Sequence, residues 1–337
     1  MEPESPAASP GIRVRDSAQR EVEAEVDVEV AAIDAVAHGV LALTLRAAAG
    51  EGLPAWDPGA HVDVLLPNGQ VRQYSLCGDR NDLSSYRIAV LREPESRGGS
   101  RYIHEQLGVG DHLVLRGPRN HFELAPADRY LFIAGGIGIT PILPMIAQAD
   151  EAGAEWRLLY GGRTRRSMAF RDELLEAYDE RVTLVPQDES GLLDLASALR
   201  DSPSDTLVYC CGPEPLLHAV EELCRPWPGS APHVERFSPR AQQSGPEDDQ
   251  EFEVILQSSG QTVRIPSDKS ILETLEAQGI SIMSSCLEGT CGTCELAVLD
   301  GVPDHRDSVL SAAEREAGKT MMICVSRSKT PRLVLEL

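Results

Sequence analysis

The chain has 337 residues, of which 42% are hydrophobic and 25% are charged. This is the composition of a globular protein long enough for two or three domains. Its formal net charge of −22 argues against nucleic-acid binding, because phosphate contacts need clustered Lys and Arg. The charge favours docking partners with basic surfaces, although solubility alone would also explain it. No apolar run is long enough to span a bilayer, and the start of the chain lacks a signal-peptide core, so we expect a cytoplasmic protein.

The pattern along the chain predicts three domains in succession. Residues 1–22 are polar and aperiodic, as in a disordered tail. Residues 23–126 contain short alternating runs separated by turn residues, which predict a small antiparallel barrel. Residues 127–238 alternate strands with helices, so we expect a parallel sheet built from βαβ units. A polar linker over residues 239–250 precedes a small α+β domain over residues 251–337.

The most distinctive pattern is formed by cysteines in the last domain. Eight cysteines in a cytoplasmic chain indicate metal or redox chemistry rather than disulfides. Three of them are spaced C-x4-C-x2-C and a fourth follows, which is the plant-type [2Fe–2S] pattern. A structural zinc site is the main alternative, but such sites usually pair two C-x2-C knuckles. The predicted cluster ligands are Cys286, Cys291, Cys294 and Cys324.

Two glycine-containing turns in the middle domain suggest a nucleotide site. The first, G-G-I-G-I-T-P at 135–141, follows an apolar strand but lacks the third glycine of the dinucleotide fingerprint. Its glycines would allow close backbone approach, with Thr140 capping the next helix and Pro141 at its first position. The second, C-C-G-P at 210–213, ends another strand, where ligands bind in open parallel sheets. An ordinary strand–helix turn and packing cysteines remain the alternatives.

These motifs, in their order along the chain, carry a family resemblance. R-Q-Y-S-L at 72–76 and G-G-S at 98–100 come first, then the two turns, then the cysteines. This set resembles the phthalate dioxygenase reductase family, which includes the vanillate O-demethylase reductases, over nearly the whole chain after the tail. The resemblance implies an FMN-binding β-barrel (23–126), an α/β NAD-binding domain (127–238) and an α+β β-grasp ferredoxin domain (251–337).

The resemblance also implies roles for individual residues. Arg72 would pair with the FMN phosphate, and Tyr74 and Ser75 would line the isoalloxazine ring. Otherwise, these three residues would belong to an ordinary alternating strand. Thr140, Ser75 and Cys211 are assigned to the catalytic site, with Thr140 between flavin and nicotinamide. Ala89 and Val90 would contact the flavin ring through the backbone, and Phe237 would lie near the ring or else in the core. Gly98, Gly99 and Ser100 would donate hydrogen bonds to the phosphate or else form a flexible hairpin. The expected contacts to the nicotinamide nucleotide are Gly135, Gly136, Gly138, Gly212 and Pro213.

The expected function is electron transfer from NADH through FMN and a [2Fe–2S] cluster to a terminal oxygenase. A flavin is needed because hydride carries a pair of electrons whereas the cluster accepts one. The family partner is usually a Rieske-type oxygenase, with a haem monooxygenase as the runner-up, acting on small aromatic compounds. The rival hypotheses are an electron carrier or nucleotide-sensing redox protein without turnover, and an FAD-dependent reductase. NADH is the expected donor, although the arginines at 163–166 could accept a 2′-phosphate.

Overall fold

The computed structural model describes residues 25–50, 52–225, 231–239 and 249–337. The predicted tail and most of the predicted linker lie outside these residues. Three main sheets follow one another along the chain. None of the helices in the described ranges is both long and apolar enough to cross a membrane.

The first sheet is an antiparallel barrel. Its strands are β1 (Glu25–Ala37), β2 (Val40–Ala47), β3 (Ala60–Leu65), β4 (Val71–Ser75), β5 (Ser85–Leu91) and β6 (His112–Asn120), with helix α1 (Gly99–Glu105) before β6. They are ordered β4-β3-β6-β1-β2-β5. A single bridge between Leu76 and Ile88 joins the two ends of this order and closes the barrel. Alternate residues such as Val28 and Val30 point inward and are fully buried, which is the period-two pattern of a strand with one apolar face.

The second sheet is parallel and has helices on its faces. The strands are β7 (Arg129–Gly135), β8 (Glu155–Gly162), β9 (Val182–Pro186), β10 (Leu207–Cys211) and β11 (His233–Glu235), and the helices are α2 (Ile139–Glu151), α3 (Arg171–Tyr178), α4 (Gln187–Ser190), α5 (Leu195–Arg200) and α6 (Glu214–Cys224). The order is β11-β10-β7-β8-β9. Because the chain leaves β7 toward β8 and later returns to its other side as β10, the carboxyl ends of β7 and β10 form a topological switch point.

The third sheet is mixed and carries the cysteine loop. Its elements are β12 (Phe252–Leu256), β13 (Thr262–Ile265), α7 (Ile271–Ala277), β14 (Glu295–Asp300), β15 (Pro303–Asp304), α8 (Ala312–Ala317), β16 (Thr320–Met322), β17 (Arg327–Ser328) and β18 (Arg332–Leu335). The main strands are ordered β13-β12-β18-β14-β16, and β15 pairs with β17. Helix α7 begins with a capping box between Ser270 and Glu273 and buries its apolar side in the core of this sheet. The predicted fold class is confirmed.

The barrel contacts both of the other sheets. An apolar cluster that contains Ala42 and Ala89 of the barrel also contains Phe132 and Ile139 of the parallel sheet and its helix. We call this the shared apolar cluster. Arg87 of β5 also pairs with both carboxylate oxygens of Glu173 at 3.0 Å. On another side, Arg97 forms an ion pair with Glu288 in the cysteine loop.

Candidate functional site

The predicted phosphate-binding residues of the barrel lie together. Arg72 is on β4, and its side chain crosses Gly99, where an added methyl group would lie 2.6 Å from the Arg72 Cγ. The guanidinium donates to the Val71 carbonyl and to Gln70 Oε1, each at 2.7 Å. Gly98 precedes α1 with a φ of 106°, a conformation that favours glycine. Arg72 and the glycine pair therefore form one cradle that a larger residue at 99 would fill.

Ser100 contributes to this cradle differently from the expectation of a free hydroxyl donor. Its hydroxyl donates to Ser96 Oγ at 3.0 Å and accepts the backbone N–H of Glu93 at 3.2 Å. The residue is only 8% exposed. Ser100 thus fixes the shape of the loop, and an anion bound here would meet its backbone N–H rather than its hydroxyl.

The residues expected along the flavin ring lie on β4 and β5. Tyr74 is partly buried against the barrel core, and desolvation raises the pKa of its phenol. Ser75 is 5% exposed and lies across from His61 of β3. Val90 points into the barrel core, and its carbonyl accepts a hydrogen bond from His104 Nε2 at 2.9 Å. Ala89 faces the other way, into the shared apolar cluster, so β5 connects the barrel with the parallel sheet.

The two glycine turns of the parallel sheet contact each other at the switch point. A methyl group on Gly138 would lie 2.3 Å from the carbonyl oxygen of Cys211, and one on Gly135 would lie 2.7 Å from Pro213 Cδ. Real Cβ atoms essentially never approach within 3.0 Å, so both positions require glycine for this packing. Gly212 faces Gly135, where an added Cβ would meet the Gly135 Cα at 3.0 Å. The sequence predictions at both turns thus converge on one place.

Thr140 lies at this place, but the prediction that it caps helix α2 is wrong. Helix α2 begins at Ile139 and its N-cap is Gly138, so Thr140 and Pro141 already lie inside the first turn. The segment Gly136–Gly138 forms a turn of 3₁₀ helix that continues directly into α2, so the helix starts earlier in the chain than expected. The Thr140 hydroxyl donates to the Ile137 carbonyl at 3.0 Å, and the residue is 2% exposed.

Cys211 is buried beside a carboxyl group. Its Sγ lies 4.0 Å from Glu235 Oε2. Burial, followed by the neighbouring Glu235, raises the pKa of the Cys211 thiol, and burial raises the pKa of Glu235 to about 8. Both groups are therefore predominantly neutral at pH 7, which gives the site an uncharged lining. Phe237 follows on the same chain segment and is 45% exposed, so it is not the core aromatic residue that the sequence left as an alternative.

The four predicted cluster ligands meet in the loop before β14 and at Cys324. Their thiols interact in pairs, Cys286 with Cys291 and Cys324, and Cys294 also with Cys324. Cys286 Sγ accepts the backbone N–H groups of Glu288 and Thr290 at 3.3 Å. The Cys291 and Cys324 thiols, aided by such N–H groups, hold the pKa of Cys286 well below its usual range.

The geometry of this loop suits a cluster of two irons. Within the described ranges, no three His, Cys, Asp or Glu side chains are grouped around a single-ion site. A [2Fe–2S] cluster instead places two thiolates on each iron. Gly289 and Gly292 have φ values of 70° and 75°, which lets the loop curl and turn its N–H groups toward sulfur.

Comparisons with known proteins agree with this order of sites. Residues 254–329 match the family model of the 2Fe-2S iron-sulfur cluster binding domain, and residues 132–222 match that of the oxidoreductase NAD-binding domain. The phenoxybenzoate dioxygenase subunit beta of Ectopseudomonas oleovorans is 46% identical over 93% of this chain and 98% of its own. The phthalate 4,5-dioxygenase oxygenase reductase subunit of Pseudomonas putida is 40% identical over 92% and 96%. The chain belongs to the phthalate dioxygenase reductase family.

Solved structures support the same assignment. Phthalate dioxygenase reductase aligns with a TM-score of 0.68 and 36% identity over 93% of this chain and 98% of its own. An intact type IV self-sufficient cytochrome P450 monooxygenase aligns with a TM-score of 0.88 and 44% identity over 98% of this chain, which spans only 43% of that protein. The family predicted from the sequence motifs is thus confirmed. All four predicted cluster ligands fall within the region that matches the 2Fe-2S domain, and both glycine turns fall within the NAD-binding match.

The structure also reveals site residues that the sequence analysis missed. His61 and His121 of the barrel line a small cavity with Glu235 and Arg236 of the parallel sheet and Thr290 of the cysteine loop. We call this cavity the junction cavity, because all three parts of the protein contribute to it. Burial, then the nearby Arg119 and His121, hold the pKa of His61 well below its ordinary value, so its imidazole is neutral at pH 7.

A polar face of the barrel surrounds these histidines. Asp63 lies on the same face of β3 as His61 and is fully buried. Its Oδ1 accepts from Arg119 Nη2 at 2.6 Å and from Gln73 Nε2 at 3.0 Å. The only sequence signal was the polar alternation of His61 and Asp63 in a strand, which an isolated barrel would turn toward water.

Proposed function

We propose that this chain is the reductase component of an oxygenase system, passing electrons from NADH through FMN and a [2Fe–2S] cluster to a terminal oxygenase. The observation that carries the proposal is the convergence of three sites on the barrel. The nicotinamide-side turns pack against β5, the flavin-side residues lie on β4, and the cysteine loop contacts the same barrel at His121 and Arg97. The proposed nicotinamide, flavin and cluster sites would therefore be neighbours.

The barrel fits FMN at two places. The cradle of Arg72, Gly98 and Gly99 would hold the phosphate, because a guanidinium fork matches a phosphate dianion and the missing Cβ atom of Gly99 lets the Arg72 side chain lie against the glycine pair. Tyr74 and Ser75 would line the ring, and Ala89 and Val90 would border it through their backbones. Phe237, which is partly exposed, would cover the ring from the nucleotide side.

The switch point fits the nicotinamide nucleotide. The two turns would form a surface with few side-chain atoms, the nicotinamide floor, against which the nucleotide would bind. Its residues are Gly135, Gly136, Gly138, Gly212 and Pro213. Thr140, Cys211 and Ser75 would line the hydride-transfer site without exchanging protons, since the thiol is neutral and the threonine hydroxyl is bound internally.

The cofactors would supply the redox chemistry. When bound, the flavin takes up the electron pair of a hydride and releases the electrons singly to the cluster. The chain's own residues position the groups and exclude water from between them. Cys286, Cys291, Cys294 and Cys324 would hold the cluster. We place this chemistry in the cytoplasm, where thiol ligands are not lost to disulfides.

The proposed partner is a terminal oxygenase. The names of three relatives refer to a phenoxybenzoate dioxygenase, a toluene-4-sulfonate monooxygenase system and a phthalate 4,5-dioxygenase. These names support a partner oxygenase that acts on a small aromatic compound. The family resemblance favours the Rieske type for this partner. The similarity to a self-sufficient cytochrome P450 supports a haem monooxygenase as the second candidate.

An anaerobic NADH titration of the purified holoprotein tests the proposal. The flavin should bleach first and the cluster should then reduce, with steady NADH oxidation when ferricyanide is added. Acid-released flavin should lack an adenylate, and iron should be present at about two atoms per flavin. Zinc in place of iron would end the proposal, as would NADH binding without turnover, which is the behaviour of a nucleotide sensor.

A further inference from the structure

The barrel and the cysteine loop pack tightly against each other at Gly292. A methyl group added here would lie 2.4 Å from Nε2 and 2.6 Å from Cε1 of His121. Gly292 stands between Cys291 and Thr293 and has a φ of 75°. The imidazole of His121 therefore occupies the space that the absent side chain leaves free at Gly292, next to the predicted ligand Cys291 and two residues before Cys294 in the sequence.

On its other side, His121 faces His61. The two ring centroids are 5.9 Å apart with an interplanar angle of 32°. His61 is 6% exposed, and its Nε2 has no hydrogen-bond partner among the described residues. His61 is also the cross-strand partner of Ser75, and directly paired residues share one face of a sheet. The two histidines thus connect the strand proposed to line the flavin with the loop that would hold the cluster.

A second polar contact between these parts, among the described residues, is peripheral. Arg97 and Glu288 form an ion pair, but their side chains are 65% and 29% exposed. An ion pair that exposed is weak and is screened by salt. The contact of His121 with Gly292 is better enclosed, since Gly292 is buried and His121 is partly buried, so it is suited to fix the separation between barrel and loop.

We propose that His121, supported by His61, is the positioning residue that sets the separation between flavin and cluster and hence the rate of electron transfer between them. The inference rests on the proposed function. In each transfer the flavin loses one electron and one ferric iron of the cluster becomes ferrous. NADH supplies both electrons, and the flavin releases its proton to solvent. Because such rates fall steeply with distance, a small displacement of the loop should be visible.

A double-mutant cycle on the holoprotein tests the contact. We would prepare H121A, G292A and the double variant, and follow anaerobic flavin bleaching and cluster reduction by stopped flow. H121A and G292A should each slow cluster reduction about tenfold, within the coupling range of contacting residues, while flavin bleaching by NADH stays unchanged. In the H121A background the added methyl has room, so G292A should have less than about a threefold further effect. The left-handed strain of alanine at 292 is present in both backgrounds and cancels.

Two further variants and two further measurements separate positioning from general damage. H112A removes an exposed histidine from β6, the strand that ends one residue before His121, and should match the wild type. H121Q, which keeps a long polar side chain, should recover most of the rate. The spectroscopic signature and midpoint potential of the cluster should stay unchanged in H121A, because no ligand is altered.

Distinct results would overturn the inference. An unchanged cluster-reduction rate in H121A, or an equal effect of G292A in both backgrounds, would show that His121 does not position the loop. If G292A assembles no cluster, the cluster-reduction rates of H121A and H121Q still test whether His121 positions the loop. Failure of the proposed function would look different, since the wild-type flavin would then not be reduced by NADH at all.

Discussion

Replacing Gly138 with alanine tests whether the contact between the two glycine turns builds the nicotinamide site. Gly138 has φ and ψ of −62° and −3°, which any residue adopts, so the substitution adds only bulk. The new methyl group would lie 2.3 Å from the Cys211 carbonyl oxygen and 2.4 Å from its carbon. Because contacts under 3.0 Å are essentially never seen, the turns must separate by roughly 0.7 Å or more.

The cost of this separation follows from the atoms involved. Overpacking costs typically about 1–3 kcal/mol, and we expect about 3 kcal/mol because the obstacle is backbone at the end of a central strand. Gly136 in the same turn provides the matched control, since a methyl group there meets no atom within 4 Å and pays only for a φ of 57°. That strain costs about 1 kcal/mol. For catalysis, a misplacement approaching 1 Å can reduce the rate by about 100-fold.

Thermal unfolding and NADH-driven flavin bleaching measure these effects. At about 4 °C per kcal/mol for a domain of about 110 residues, G138A should lower Tm by about three times as much as G136A. It should also reduce kcat/KM for NADH by up to about 100-fold while the flavin stays bound. If G138A were as stable as G136A and as active as the wild type, the two turns would not be in contact, and the proposed nicotinamide floor would be wrong.

Further predictions concern the cluster, the donor, a buried acid and the domain order. C291S should lose the iron but keep the flavin, as shown by metal analysis and chromatography, because the two sites lie in different sheets. NADH should give a higher kcat/KM than NADPH. Equal or reversed values, together with a kcat/KM for NADPH alone that falls in R163A, would show that this loop binds the 2′-phosphate. Because burial raises the pKa of Glu235 from 4.5 to about 8, the folded state holds a proton that the unfolded chain loses. Stability should therefore decline from pH 4.5 to about 8 and level off above it, and E235Q should flatten that part of a denaturation series. A chain shortened to residues 1–240 should still oxidise NADH with ferricyanide but should not support its oxygenase; support equal to that of the full chain would refute the cluster as the exit.

The parts of the site that the sequence predicted are those governed by short spacing. Cys286, Cys291 and Cys294 are close along the chain, so their geometry depends on a local loop and small residues. The glycines at 135 and 138 follow a strand directly, and strand ends of a parallel sheet meet at one edge whatever the rest of the fold does. Local order and a general rule of sheet topology were enough in both cases.

The sequence was less reliable where a local preference competed with packing. Thr140 has a good cap side chain and precedes a proline, yet the preceding glycines extend the helix backward and take the cap position. Ser100 has a hydroxyl that suits a phosphate, yet the neighbouring Ser96 and the Glu93 N–H engage it. Both residues carry the expected hydroxyl group, but that hydroxyl forms its hydrogen bonds within the protein.

The junction histidines were out of reach for a different reason. His61 and Asp63 alternate with apolar residues on β3, and this pattern predicts a face turned to water. In the structure that face is buried, with Glu235 and Thr290 of the other two sheets beside His61 at the junction cavity. Buried polar groups need partners, and Asp63 finds one in Arg119. A face that is polar by pattern but buried in the fold is what an interface between redox domains requires, because it must pack closely without becoming part of either apolar core. The polar row on β3 is therefore a buried face of the barrel, with His61 at the junction cavity and Asp63 bound by Arg119 and Gln73, rather than a solvated surface.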